Sequence, residues 1–326
     1  LMREQAGRPF DLSADLMLRV RLIKLSDELH LIHYTLHHIA SDAWSRVILQ
    51  RELSVLYAAY CKGDPDPLPP LKIQYADYAV WQRQWLEGEV LEQAMAYWKR
   101  QLADLPAVHS LPLDKPRPVQ RRHVGRTHRL LLGPKLATGI AELNRKHNTT
   151  LFIFMHTAFA LLLSRCSGER DIAIGGAISG RVHRDVEGLI GFFINDLALR
   201  LRIKGAPGFT ELLAQHRETI LDAYAHQHVP FEMLVEELNP PRSMSYSPLF
   251  QIKLDVQNNE EAKLSLVDLE LLNTGLEAQK AVQSEHEHSV RHDLYVSVSE
   301  QPNALSVMWR YNTDLFLPET IARLSS

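Results

Sequence analysis

The sequence predicts an α/β protein built as two lobes, and three observations carry that expectation. Strand-like and helix-like patterns are mixed in both halves of the chain rather than segregated. Its 326 residues suffice for two domains of ordinary size. A proline-rich break, with Pro112, Pro116 and Pro118 between Leu111 and Pro118, separates a lobe over 1–110 from one over 111–326.

Taken in order, Leu18, Val20 and Leu22 alternate with Arg19 and Arg21, the period of a strand. A turn at Ser26-Asp27 leads to a second strand, in which Ile32, Tyr34 and Leu36 alternate with His33, Thr35 and His37. A helix then starts at Ser41 or Asp42, both good N-caps, and Gly63 stops it. Beyond the loop at 64–70, one aromatic-rich helix carries Tyr75, Tyr78, Trp81, Trp85 and Trp98. Tyr75, Tyr78 and Trp81 stand at i, i+3 and i+6, the spacing of a packed helix face.

The second half reads as a strand over 127–132, helices over 134–147 and 150–164, and a strand over 172–178. A glycine- and charge-rich loop comes next, then a strand over 197–203 and helices over 209–227 and 231–238. The tail reads as strands over 250–256, 264–272, 294–298 and 305–311. The apolar run from Leu151 to Leu163 is too short to span a bilayer and is interrupted by His156 and Thr157, so it reads as a buried helix.

Composition narrows the function. A net charge of −3 gives no basis for a nucleic-acid or anionic-membrane partner, and 45% hydrophobic with 23% charged content suits a globular protein with a substantial core. Two distant cysteines, Cys61 and Cys166, with no secretory segment read as unpaired thiols in a cytoplasmic setting. The chain opens at Leu1, which reads as a piece of a longer polypeptide.

The chemistry concentrates in His37-His38-Ile39-Ala40-Ser41-Asp42-Ala43-Trp44-Ser45. If the strand holds to its end, His38 continues the Ile32/Tyr34/Leu36 face and His37 points the other way, so the two cannot ligate one metal ion. No metal site is expected. In Gly176-Ala177-Ile178-Ser179-Gly180 the serine comes one place late for a nucleophile elbow. Two readings stay open from the pattern alone: core histidines with Asp42 as a helix cap, or an acyltransferase in which His38 handles a proton beside the amides of a helix N-terminus.

The segment resembles the HHxxxDG signature of condensation domains from nonribosomal peptide synthetases, in the chloramphenicol-acetyltransferase-like superfamily. Four companions follow in that family's order: Tyr75 to Gln82 is similar to YxDYAxWQ, Ile190 to Asn195 to IGFFVN, His226 to Glu232 to HQDVPFE, and Ser247 to Gln251 to xPLFQ. Ala43 replaces the signature glycine, harmlessly if the position is already helical, and His228 replaces an aspartate, expected as a surface variation. The family's opening blocks are not found in this sequence.

The resemblance implies two chloramphenicol-acetyltransferase-like lobes forming a V around a tunnel. It implies peptide-bond formation between a donor acyl thioester and an acceptor aminoacyl thioester. Both are borne on carrier proteins, upstream and downstream, by phosphopantetheine arms, beside a neighbouring adenylation domain; the domain itself binds no cofactor. It gives the catalytic place to His38, with His37 supporting, Asp42 structural and Ala43 offering a backbone N–H to the oxyanion. Arg181 is the expected partner of Asp42. Trp44, Ser45, His226 and Gln227 are expected along the tunnel, although His226-Gln227 equally reads as a helix end. Phe192 and Phe193 are expected to pack beneath its floor.

Overall fold

The computed structural model describes residues 7–257, 264–271 and 288–326. Its described residues form two compact units, one of 7–84, 179–194 and 264–271, the other of 85–178, 195–257 and 288–326. The proline-rich break at 111–118 lies inside the second unit. Residues 179–194, though far along the sequence, cluster with the first.

In the first unit, β1 (Leu18–Lys24) and β2 (His30–Leu36) pair antiparallel, Leu18 opposite Leu36 and Arg21 opposite His33. The strand ends at Leu36, earlier than the alternation suggested, because a single 3-10 turn over His38–Ala40 follows at once. Strand faces therefore do not assign the directions of His37 and His38. Helix α1 (Ala43–Cys61) then starts on its Asp42 cap. The aromatic-rich stretch is two helices, α2 (Tyr75–Trp85) and α3 (Gly88–Gln101), broken where Gly88 takes φ of 56°.

The second unit is a seven-stranded sheet. Its strands are β3 (Val124–Leu132), β4 (Asp171–Ile178), β5 (Asn195–Arg202), β6 (Ile252–Gln257), β7 (His288–Ser289), β8 (Leu294–Gln301) and β9 (Ala304–Asn312), in the order β5-β4-β6-β8-β9-β3-β7. β6 runs parallel to both β4 and β8, and the other pairs are antiparallel. One face of the sheet is apolar. Ile172 and Ile174, Leu254, Val296 and Val298, and Val307 and Trp309 lie on it at alternate positions and are buried. Helices α4 (Pro134–His147), α5 (Leu151–Ser167) and α7 (Phe209–Ala225) pack against β9, β4 and β5 respectively. A single turn, α6 (Arg184–Glu187), lies in the charge-rich loop, α8 (Phe231–Leu238) forms where the short helix was expected, and α9 (Pro318–Ser325) follows β9. The strand expected over 264–272 does not form over 264–271, which run as loop and turn, and residue 272 lies outside the described residues. No single helix among the described residues is long and apolar enough to cross a membrane.

The apolar core between α5 and α7 contains an exception. His156 and His216 are both fully buried, with His156 Nδ1 2.7 Å from His216 Nε2. One ring donates and the other accepts, which two protonated rings cannot do. Burial pushes the pKa of His156 down to about 4 from an ordinary 6.5, and that of His216 well down as well. A group depressed in this way contributes stability that is complete above pH 6.5 and is lost as pH falls towards about 4, because the unfolded chain then binds the proton first. For His156 the loss amounts to about 3 kcal/mol. Denaturant titrations should therefore show the wild type losing more stability than His156→Gln between pH 7 and pH 4; equal losses would contradict the assignment.

Candidate functional site

The site is assembled within the first unit, starting from the chain reversal after β2. His37 accepts a hydrogen bond at Nδ1 from the Ile39 N–H at 3.0 Å, so its own ring proton sits on Nε2. His38 does the reverse. Its Nδ1 lies 2.6 Å from the Ser41 carbonyl oxygen, which only accepts, so Nδ1 carries a proton and, in the neutral ring, Nε2 keeps its lone pair. His38 is exposed, and its ring meets Phe192 edge-on at 5.2 Å. His37 is half-buried against Phe10, edge-on at 5.4 Å.

Asp42 caps α1 through its carboxylate, which accepts from the Ser45 N–H at 2.8 Å. The same carboxylate accepts from the Ser45 hydroxyl at 2.7 Å, the Phe193 N–H at 3.2 Å, and Arg181 Nη2 at 3.2 and 3.4 Å. Arg181 and Asp42 are both buried, at 9% and 8% exposure. The second arm of the guanidinium, Nη1, donates to the carbonyls of Val186 and Leu189, and its face lies 4.0 Å over the Phe193 ring. Burial pushes the Arg181 pKa down and the Asp42 charge opposes that shift. Because arginine is by far the most basic side chain, the guanidinium stays charged.

Two glycines make this approach possible. Gly180 has φ of 63°, and a Cβ there would run into the Phe193 carbonyl oxygen. A Cβ on Gly191 would strike the Tyr75 ring. Tyr75 in turn donates its hydroxyl to the Phe192 carbonyl at 2.7 Å and packs with Tyr78 on Phe193. Tyr78 is thus core, as the helical spacing suggested, whereas Trp81 is 44% exposed.

Ala43 is the first residue of α1 and is not among the residues with positive φ, so alanine in the glycine position carries no backbone strain. Its N–H is one of the first-turn amides that the helix cannot pair internally. Trp44 is 39% exposed and donates its indole N–H to the Glu187 carbonyl at 2.9 Å. Ser45, expected along the tunnel, is 1% exposed, and its hydroxyl also accepts from the Gly191 N–H and from Arg181. Phe193 lies in the core, and Phe192 stands half-exposed with its ring beside His38. Nothing in the spacing of two adjacent phenylalanines marks one as the neighbour of a distant histidine.

His226 and Gln227 belong to the second unit. His226 ends α7, with Nδ1 on the Asp222 carbonyl at 2.7 Å and its ring stacked on Tyr97 at 4.1 Å, and the Gln227 carbonyl accepts from Asn195. His228 is not a free surface substitution. It is half-buried and edge-on to Trp85 at 4.6 Å, and burial followed by the nearby His226 lowers its pKa. No group of three or more metal-ligating side chains occurs among the described residues.

A family model described as the condensation domain matches residues 1–326. A linear gramicidin synthase of Brevibacillus parabrevis is 42% identical over 98% of the chain, and malpibaldin synthetase of Mortierella alpina 42% over 99%. The chain spans only 6% of the length of either relative. Among solved structures, the X-domain from teicoplanin biosynthesis, in its complex with OxyB, superposes with a TM-score of 0.86 at 28% identity, covering 99% of this chain and 71% of that one. The first condensation domain of the calcium-dependent antibiotic synthetase, with a substrate analogue, shares the fold at a TM-score of 0.73 and 18% identity, covering 99% and 70%.

Removing Arg181 leaves the Asp42 charge buried without its partner. Arg181→Met is therefore expected to cost about 3–5 kcal/mol in chemical denaturation. A cost below about 1 kcal/mol would mean that the pair does not hold the loop.

Proposed function

The chain belongs to the condensation-domain family of nonribosomal peptide synthetases, and on that premise we propose that it joins an acyl thioester to an aminoacyl thioester as an amide. The donor and acceptor would each arrive on a carrier protein, held by that carrier's phosphopantetheine arm, with an adenylation domain alongside in the same synthetase. The acceptor amine attacks the donor carbonyl, the C–N bond forms, the C–S bond breaks, and the donor carrier leaves as a thiol.

The observation that carries this reading is the hydrogen bond of His38: Nδ1 is committed to the Ser41 carbonyl, and in the neutral ring Nε2 is an acceptor on an exposed side chain. An acceptor there is suited to receive the amine proton or to orient the amine by a hydrogen bond, and holding both reactants in place supplies several kcal/mol besides. The Ala43 N–H, at the positive end of α1, is the candidate donor to the oxyanion. Asp42 would not touch substrate, since its oxygens already accept from Ser45, Phe193 and Arg181. An ester product from a hydroxyl acceptor would use the same groups.

A second reading is a docking module that recruits a partner enzyme without forming a bond. It is favoured by the likeness to an X-domain solved in complex with OxyB. His38 and Asp42, both present here, support the catalytic reading.

The test uses the synthetase containing this chain, with both carriers loaded and the carrier-bound product followed by mass spectrometry. His38→Ala is expected to lower dipeptide formation by about 10²-fold or more. Equal yields would remove His38 from the mechanism, and a wild type that forms no bond but binds a tailoring enzyme would establish the docking reading.

A further inference from the structure

Phe192 is an aromatic side chain that the core does not use. Its neighbour Phe193 is 4% exposed and packs with Tyr78, Val186 and Leu189, whereas Phe192 is 37% exposed and is not part of that cluster. Among the described residues its one ring partner is the imidazole of His38, 5.2 Å away between centroids with the planes 76° apart.

The backbone that carries Phe192 is nonetheless held on both sides. The Gly191 N–H donates to the Ser45 hydroxyl at 3.0 Å, the Phe192 carbonyl accepts from the Tyr75 hydroxyl at 2.7 Å, and the Phe193 N–H donates to Asp42 at 3.2 Å. Three consecutive residues are thus tied to the groups around the buried Asp42–Arg181 pair. The Phe192 side chain is left with only its own two torsions, each confined to a few wells. A ring on a backbone fixed to that degree is not loose surface.

His38 needs a contact of this kind. Its ring also turns about two torsions, and Nδ1 makes one hydrogen bond, to Ser41. A carbonyl accepts over a broad range of directions, so that bond alone lets the ring tilt and Nε2 swing with it. An edge-on aromatic neighbour favours one relative orientation of the two planes. The hydrogen bond and the ring contact together define the imidazole plane, and with it the direction of Nε2. We propose that Phe192 is a positioning residue, holding the His38 ring so that Nε2 meets the acceptor amine and linking that ring to the buried Asp42–Arg181 pair. The proposal rests on the amide-forming reading above. Phe192 exchanges no proton; it keeps an attack geometry that a displacement of about 1 Å would degrade.

The test follows single-turnover dipeptide formation by mass spectrometry in the synthetase containing this chain, with both carriers loaded. Phe192→Leu, which keeps apolar bulk and loses the ring, is expected to slow bond formation about tenfold, and Phe192→Tyr, which keeps the ring, to stay within about twofold of the wild type. Because the effect passes through His38, Phe192→Leu should change the rate by less than about twofold in a His38→Ala background. An equal loss in both backgrounds, a Phe192→Tyr variant as slow as Phe192→Leu, or a Phe192→Leu variant as fast as the wild type would each overturn the role. A second readout needs no turnover: ethoxycarbonylation of His38 by diethyl pyrocarbonate, mapped on the digested protein. With Nδ1 held on Ser41 the ring is expected to take one group, at Nε2, and in Phe192→Leu to take a second at the released Nδ1. Identical labelling of the two proteins would overturn the positioning role whether or not the synthetase forms product. The expected change in labelling, in a synthetase that makes no amide, would uphold the hold on His38 and count against the amide-forming reading instead.

Discussion

The buried contact between Arg181 and Asp42 is the constraint on which the site depends. It joins residues 139 positions apart, in a place that water hardly reaches. Two charges in such a place are worth having only if nearly every donor and acceptor around them is used. Here the guanidinium spends one nitrogen on two backbone carbonyls and another on Asp42 and Ser45, while the carboxylate accepts from the cap amide, a hydroxyl and the Phe193 amide. An apolar pair of the same volume would pack equally well and specify none of these directions. The ion pair fixes where α1 begins, and so where the turn holding His38 must end.

That turn explains how two adjacent histidines come to differ. Had β2 continued, the pair would have been distinguished by opposite faces. Instead the chain leaves the strand after Leu36 and enters a 3-10 turn, where local hydrogen bonds make the distinction. His37 accepts a hydrogen bond at Nδ1 from the Ile39 N–H, and His38 donates its Nδ1–H to the Ser41 carbonyl. In their neutral forms the two rings therefore hold opposite tautomers, with His37 presenting a donor at Nε2 and His38 an acceptor. A proton acceptor on one ring beside a donor on the next follows from backbone geometry alone.

Much of this fold was legible because its signals are local. The alternation of β1 and β2, the Asp42 cap, the Gly63 stop and the apolar α5 helix all lie within a few residues of their cause. Signals that failed were those whose cause is distant or whose competing rule was stronger. The break between α2 and α3 overrides a continuous aromatic periodicity because Gly88 adopts a left-handed backbone. The stretch over 264–271 has strand-like alternation yet no strand partner among the described residues, and instead the Ser265 N–H is held by the Ser54 hydroxyl. At the site, Asp42 was readable as a cap, while its pairing with Arg181 came only through the family resemblance. Ser45, Gly180 and Phe192 were not assigned their parts, since a bridging hydroxyl, a close backbone approach and a ring beside His38 are set by contacts more than 130 residues away or by main-chain dihedrals.

The same distinction separates motif residues that hold the structure from those that face outward. Asn195, the end of one sequence block, donates to the carbonyls of Gln227 and Val229 and accepts from the Phe231 N–H, so it binds its own block to the one over 226–232. Gln251, the end of another, donates to the carbonyls of Ala107 and Ser247 and accepts from the His109 N–H. Each is a buried or half-buried amide whose donors and acceptor are committed to backbone, the arrangement of a structural fixture. Asp42 and Ser45 are committed in the same way. Against that background the Nε2 of His38 and the N–H of Ala43 stand out: both lie on exposed residues, one with an unused lone pair and the other an unpaired first-turn amide. A base and an anion donor left uncommitted within one short stretch, while Asp42 and Ser45 are tied down, is an arrangement suited to acyl transfer.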